Sequence, residues 1–299
     1  MKHTSLKWVQ LWLEAARPAT LWAAFVPVMV GCGLAQMQQP INMGLVALIF
    51  VTSGLIQIGT NFVNDYKDAQ TGADDEDRLG PRRATASGLV DAQTMKKASI
   101  IVLSLAALCG TALILKGGWV IAMIGVLSIL SAIAYTAGPY PLAYVGLGDV
   151  FVIVFFGLVA VFGTEYLLTG SGSTQGLILG FALGAVATGI LVVNNLRDMH
   201  TDARVGKKTL AVRFGRRFAQ YEYAFLMISA HVCLIYVSLC YPPLQNLMWL
   251  TILTIPWSAK CTHAIFHLDG RALNPYLGRT ALLELMMGLG ITGVALWST

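Results

Sequence analysis

Apolar stretches of about the length of a bilayer-spanning helix recur from one end of the chain to the other, separated by short polar segments. Nine stand out, at about 19–35, 43–60, 98–115, 118–137, 143–168, 176–194, 221–241, 246–264 and 281–298. The third and fourth share only the tight turn Lys116-Gly117-Gly118, and Pro256 interrupts the eighth. Internal Gly and Pro are tolerated in such helices where neighbours re-satisfy the backbone. The pattern predicts an all-α polytopic membrane protein with nine transmembrane helices. It forms a single transmembrane domain over 1–299, with longer polar loops at about 61–97 and 194–220.

Composition agrees with this pattern. Of the 299 residues, 56% are hydrophobic and only 12% charged, against about 45–50% apolar and roughly 25% charged in a soluble domain. The start of the chain carries Glu14 and Arg17 before its first long apolar stretch and shows no small-residue cleavage site. It reads as a short amphipathic approach to the first span rather than a cleavable signal. Cys32, Cys109, Cys233, Cys240 and Cys261 lie in or beside apolar segments without CxxC spacing, as packed thiols do.

The formal charge of +5 is explained by topology rather than by nucleic acid. With the N-terminus inside, Lys2, Lys7 and Arg17 fall on the cytoplasmic side, as do Lys67, Arg78, Arg82, Arg83, Lys96 and Lys97. So do Arg197, Arg204, Lys207, Lys208, Arg213, Arg216 and Arg217, and Lys260, Arg271 and Arg279. Only Lys116 remains for the opposite side, an asymmetry that predicts N-in and C-out.

Both long cytoplasmic loops are also rich in acids. If the second span continues as a helix, Asn61, Asn64, Asp65 and Asp68 share one face. In the second loop, Asn194, Asp198 and Asp202 are four residues apart and stack one above another. Stacked carboxylates repel one another, so a cation between the two ladders is the natural expectation. Mg²⁺ takes oxygen ligands and is commonly held by one or two carboxylates plus substrate phosphates. The neighbouring Lys67, Arg82, Arg83, Arg197, Lys207 and Lys208 suit the remaining phosphate charge. Solvated loop charge would explain Asp74–Asp77 alone, but not two periodic ladders.

These segments resemble the paired aspartate-rich motifs of the UbiA-type intramembrane prenyltransferase superfamily. The first is similar to its NDxxDxxxD signature through Asn64, Asp65 and Asp68, and departs at Gly72; acids return at Asp74 and Asp75. The second is similar to DxxxD through Asp198 and Asp202. The likeness is greatest to the branch that prenylates dihydroxynaphthoate on the way to menaquinone. It is carried by Gly72 itself, Ala16-Arg17-Pro18-Ala19-Thr20-Leu21, Gly80-Pro81-Arg82-Arg83 and the segment Tyr135 to Tyr144 with Gly148-Asp149. The run from Asn194 through Gly206-Lys207-Lys208 to Gly215 completes it.

The resemblance implies helices around a central cavity that opens to the bilayer. It implies polyprenyl diphosphate and 1,4-dihydroxy-2-naphthoate as substrates, Mg²⁺ as cofactor, and a bacterial cytoplasmic membrane as location. Asn64, Asp65, Asp68, Asp198 and Asp202 are the expected metal ligands, with Asn194 as ligand or support. Arg83, Lys207 and Lys208 are the expected diphosphate contacts, with Arg82 a weaker choice. Arg17 resembles the family's candidate for holding the acceptor carboxylate; otherwise it is a snorkelling interface residue. Tyr135, Tyr140 and Tyr144 are candidates to shield an allylic cation through their ring faces, with Tyr140 assigned to the catalytic group; an interfacial aromatic belt is the other reading of them.

His200 points off the acidic face, and His263 with His267 reads as an interfacial packing pair. Nothing in the sequence calls for a protein partner. A prenyltransferase for another aromatic acceptor, such as 4-hydroxybenzoate, is the alternative within the same chemistry. A transporter or channel would instead require ionisable residues near mid-span, and those stretches are nearly bare of them. Glu284, near a helix start, and Asp149, early in the fifth span, could line a cavity.

Overall fold

The computed structural model describes residues 2–72 and 79–298, with side chains from Trp8 onward. Asp74–Asp77, Arg78 and the Lys2 and Lys7 side chains, all named above, lie outside the described residues.

Every regular element among the described residues is helical. α1 (Lys2–Ala16) turns at Arg17 into α2 (Pro18–Gln38), and α3 (Met43–Thr71) follows. α4 (Ala92–Ala134), α5 (Gly148–Ile153), a π-helical turn (Val154–Leu158) and α6 (Val159–Thr169) come next. α7 (Thr174–Arg197), short α8 (Met199–Arg204), α9 (Leu210–Cys240), α10 (Leu247–His267) and α11 (Asn274–Trp297) complete the chain.

Seven helices, with α5, the π turn and α6 taken as one, are long and apolar enough to cross a membrane. This is a multi-pass membrane protein. The expected count of nine is not reached by that measure, for two physical reasons. The third and fourth expected spans form one run, α4, of 43 residues, about 65 Å at 1.5 Å per residue and roughly twice a hydrocarbon core. Gly118 breaks that run at the expected turn with φ 63° and ψ −152°. Met95 near its start and Ala137 beyond its end share one hydrophobic cluster, so the two halves run back along each other. α10 covers the eighth expected span, but Pro256, Lys260, His263 and His267 dilute its apolar run.

In a bilayer, helices associate through close packing of small residues rather than through the hydrophobic effect. α7, the central helix, uses Gly180 and Gly184 in this way. A Cβ added to Gly157 would fall 2.7 Å from the Gly184 Cα, so the π turn and α7 meet backbone to backbone. The outer faces carry large apolar side chains such as Leu115, Trp119, Leu239 and Leu253, all exposed, as lipid-facing positions require.

On the other side of α5 and α6 lies a cavity of about 210 Å³. α2, α3, both halves of α4 and the Phe151, Phe155 and Phe156 stripe wall it, with Tyr135 among its lining residues. Its floor belongs to a cluster that includes Leu113, Ile121 and Leu167.

The helix boundaries move one sequence expectation. Glu284, expected near a helix start, lies about three turns into α11 and is buried. Glu165 is also fully buried, accepting from Gln38 Nε2 (2.6 Å) and the Ser173 N–H (3.0 Å) at the start of α7.

Candidate active site

The first ladder stands where the sequence placed it, because α3 is 29 residues long and about 44 Å at helical rise. That exceeds a bilayer core of about 30 Å, so the last turns project past it. Each ladder residue then does a different job. Asn61 donates to the Ala16 carbonyl and to Thr20 Oγ1, both at 2.9 Å, and so clamps the turn at Arg17. Arg17 has φ 52° and ψ 71°, the one non-glycine residue with positive φ among the described residues. Left-handed backbone at a non-glycine, long-chain residue carries strain; here the Asn61 clamp and the Thr20 N–H bond to the Arg17 carbonyl (2.9 Å) hold it.

Asn64 accepts from Thr136 Oγ1 at 2.7 Å. Asp65, expected as a metal ligand, is 1% exposed and accepts from two backbone N–H groups, Thr85 at 2.8 Å and Ala84 at 3.2 Å. It therefore anchors the turn that presents Arg83. Asp68 accepts from the Tyr144 hydroxyl at 3.0 Å, and that hydroxyl also meets Thr71 Oγ1 at 2.8 Å. Burial, and then the Asp68 charge, push the Tyr144 phenol above its ordinary range, so it stays protonated and donates.

Gly72, where the aspartate-rich signature has its last acid, has φ 74° and donates its N–H to the Asp68 carbonyl. It is the left-handed cap that ends α3, a conformation glycine adopts without steric cost.

The second ladder is not one straight row. α7 ends at Arg197, Asp198 takes φ −95° and ψ 8°, and α8 restarts at Met199. The i to i−4 bonding nevertheless continues, from Asp198 N to the Asn194 carbonyl (3.0 Å) and from Asp202 N to the Asp198 carbonyl (2.8 Å). Between them Arg197, 2% exposed, reaches both Asp198 oxygens at 2.7 and 2.5 Å, Asn194 Oδ1 at 2.8 Å and Asn274 Oδ1 at 2.9 Å. The sequence had offered Arg197 only as a phosphate partner. Asp202 Oδ1 meets Lys207 Nζ at 3.3 Å, while Oδ2 is buried with no partner among the described residues. Burial raises the Asp202 carboxyl from its ordinary value, against the pull of the Lys207 ammonium.

Three segments close the rim. Burial lowers the Arg83 guanidinium from its ordinary value, and the charges of Asp68, Asp65 and Asp198 oppose that. Arg83 thus sits in the field of both motifs. Lys207 Nζ lies 5.8 Å over the Tyr144 ring, and the Lys208 N–H donates to the Tyr144 carbonyl at 2.9 Å. Lys208 itself is exposed. Tyr135 lines the cavity and lies within reach of the charges of Asp149, Asp68 and Asp202. Tyr140 is not brought into this group: it is 79% exposed on the loop and absent from the cavity wall. Pro139 and Pro141 flank it on an exposed bend, whereas Tyr135 and Tyr144 sit in the turns on either side.

Among the described residues, no three carboxylate, imidazole or thiol side chains converge on one point. Mg²⁺ does not need that, since one or two carboxylates commonly suffice when phosphate oxygens and water complete the shell. The all-oxygen donors Asp68, Asn64 and Asp202, with the orphaned Asp202 Oδ2, fit such an ion.

In the sequence Gly80 and Thr136 stand only as parts of longer motifs, with no sign of what they touch, and nothing there points to Asn274. A Cβ on Gly80 would come within 2.7 Å of Arg197 Nη2, and the Asn274 contact spans 77 positions.

Residues 24–275 match the UbiA prenyltransferase family. The chain is similar to "1,4-dihydroxy-2-naphthoate octaprenyltransferase" of Escherichia coli, at 38% identity over 97% of this chain and 98% of that one. It is similar to the protein of the same name in Mycobacterium tuberculosis, at 36% identity over 94% of this chain and 95% of that one. Its fold is similar to that of a UbiA homolog from Archaeoglobus fulgidus solved with DMAPP and Mg²⁺, with TM-score 0.67, 16% identity, and 95% and 98% of the two chains covered. With the family match over most of its length and relatives of this similarity from end to end, the chain belongs to the UbiA prenyltransferase family.

Proposed function

We propose that this protein transfers a polyprenyl group from polyprenyl diphosphate to 1,4-dihydroxy-2-naphthoate, releasing CO₂ and diphosphate and giving demethylmenaquinone in its reduced, hydroquinone form. The observation that carries the reading is the junction of a charged rim with an apolar cavity. Tyr135 lines that cavity, and its neighbour Thr136 donates to Asn64 of the first motif at 2.7 Å, so a diphosphate at the rim leaves its hydrocarbon tail next to apolar walls. The shared name of the relatives from E. coli and M. tuberculosis supports the acceptor.

In this reading Asp68, Asp198 and Asp202, with Asn64, hold Mg²⁺ together with diphosphate oxygens. When bound, the ion stabilises the charge that develops on diphosphate as the allylic C–O bond breaks. Arg83 and Lys207 hold diphosphate oxygens, and exposed Lys208 is placed to meet the outer ones. Tyr144 keeps Asp68 oriented, and Asp65 with Asn194 supports Arg83 and Arg197 from behind. The Tyr135 ring face shields the allylic cation. Arg17, held at its strained turn, binds the acceptor carboxylate. The electron-rich ring attacks the cation, and loss of the carboxylate as CO₂ restores aromaticity. The Lys and Arg asymmetry supports a cytoplasmic N-terminus and an opposite-side C-terminus, and the bacterial relatives support a bacterial cytoplasmic membrane.

The test is a panel of aromatic acids offered with polyprenyl diphosphate and Mg²⁺ to purified protein in lipid. Preference for 1,4-dihydroxy-2-naphthoate over 4-hydroxybenzoate and homogentisate is expected. Asp68→Asn should lower turnover by about a hundredfold or more, the scale of losing one electrostatic stabiliser. Preference for a different acceptor would replace the pathway and keep the metal chemistry.

A further inference from the structure

We propose that Asn274, which belongs to neither acidic motif, is a positioning residue for the diphosphate half of the reaction. This rests on the prenyl-transfer reading above. Its single amide makes two bonds: Oδ1 accepts from Arg197 Nη1 at 2.9 Å, and Nδ2 donates to the Leu79 carbonyl at 2.9 Å. The first bond fixes the guanidinium that covers both Asp198 oxygens and also reaches Asn194. The second ties down the start of the Leu79–Arg83 segment. Gly80 packs on the same guanidinium so closely that a Cβ would sit 2.7 Å from Nη2. One amide at the start of α11 therefore connects the second motif to the loop of the first.

An amide supplies an acceptor to Arg197 and a donor to a carbonyl through two separate atoms of one side chain. Arg197 can neither lose its charge nor accept a hydrogen bond, so on Asp198 it acts as a resident cation. It balances that carboxylate and competes with any metal approaching it. Asn274 thus has two opposed effects. Holding Arg197 weakens metal binding to the donor-free protein, while holding the loop strengthens binding of the donor by Arg83. General loosening of the fold would weaken both.

The test compares wild type, Asn274→Ala and Asn274→Asp, purified in lipid, with Arg197→Gln as an independent variant. Mn²⁺ affinity is read by electron paramagnetic resonance without donor, and KM is read separately for donor and acceptor. Asn274→Ala should bind Mn²⁺ several-fold more tightly, because Arg197 loses the acceptor that fixes it over Asp198. Asn274→Asp keeps an acceptor for Arg197, loses only the donor to Leu79 and should bind Mn²⁺ as the wild type does. Donor KM of both Asn274 variants should rise about tenfold, the upper end for one lost hydrogen bond, with acceptor KM unchanged. Arg197→Gln should tighten Mn²⁺ binding in the same way, and it decides the point if the Asn274 variants do not insert. Unchanged Mn²⁺ affinity and donor KM in Asn274→Ala would overturn the proposal. So would parallel losses of Mn²⁺ affinity, donor KM, acceptor KM and thermal stability, which mark a purely structural role. A wild type that binds Mn²⁺ but turns over no prenyl diphosphate would instead overturn the functional reading beneath it.

Discussion

Tyr144 and Tyr140 stand four positions apart in one loop and have different surroundings. The Tyr144 hydroxyl donates to Asp68 at 3.0 Å, whereas Tyr140 is 79% exposed. Removing the first hydroxyl leaves a buried carboxylate short of a donor, which costs more than the mean worth of a hydrogen bond. Tyr144→Phe should lower kcat by about tenfold, and Tyr140→Phe should leave it unchanged; single-turnover prenylation reads both. Equal effects would contradict the placement. At this scale the sequence identified which residues matter better than what each does. Spacing on a helix put Asn61, Asn64, Asp65 and Asp68 on one face, and one unbroken helix, α3, carries all four. It could not reveal that Asn61 clamps Arg17 or that Asp65 anchors the turn at Ala84 and Thr85, because those partners arrive from separate chain segments.

Among the elements, the π turn and α7 are joined through glycine. The Cβ of any residue at Gly157 would meet the Gly180 carbonyl and the Gly184 Cα. Neither is a flexible side-chain tip that can swing aside. Gly157→Leu should therefore force α5 and α6 away from α7, at the upper end of overpacking costs of about 1–3 kcal/mol. Thermal unfolding in lipid should show a clear drop, with loss of turnover because the Phe stripe shifts. A wild-type transition would mean that the helices do not meet here. The elements themselves were legible as apolar runs, and the Lys116-Gly117-Gly118 turn fell where expected. The break at Asp198 was not legible. It depends on Arg197 turning inward to bind Asp198, Asn194 and Asn274, and a four-residue period looks the same with or without that bend.

For the whole molecule, a charged rim of two motifs lies over an apolar cavity, and the rim's parts come from α3, α7, α8 and three connecting loops. Gly125 lines the cavity, and an added Cβ there meets nothing within 4 Å. Gly125→Phe should therefore be accommodated by the fold while it occupies tail space. Long polyprenyl diphosphates should lose most turnover and a short allylic diphosphate should keep it, with melting unchanged; equal loss for both would place the tail elsewhere. Fold class and membrane character were readable from hydropathy alone, because lipid demands uninterrupted apolar helices. The cavity was not, since it arises between helices whose facing residues are far apart in sequence.

The fate of the acceptor carboxylate tests decarboxylating prenyl transfer directly. Purified protein in lipid receives polyprenyl diphosphate, Mg²⁺ and 1,4-dihydroxy-2-naphthoate labelled in its carboxyl carbon. Labelled CO₂ should appear in equal amount to prenylated product, with neither formed when donor or metal is left out. A prenylated product that keeps the label, or no product from folded, lipid-embedded protein, would contradict it.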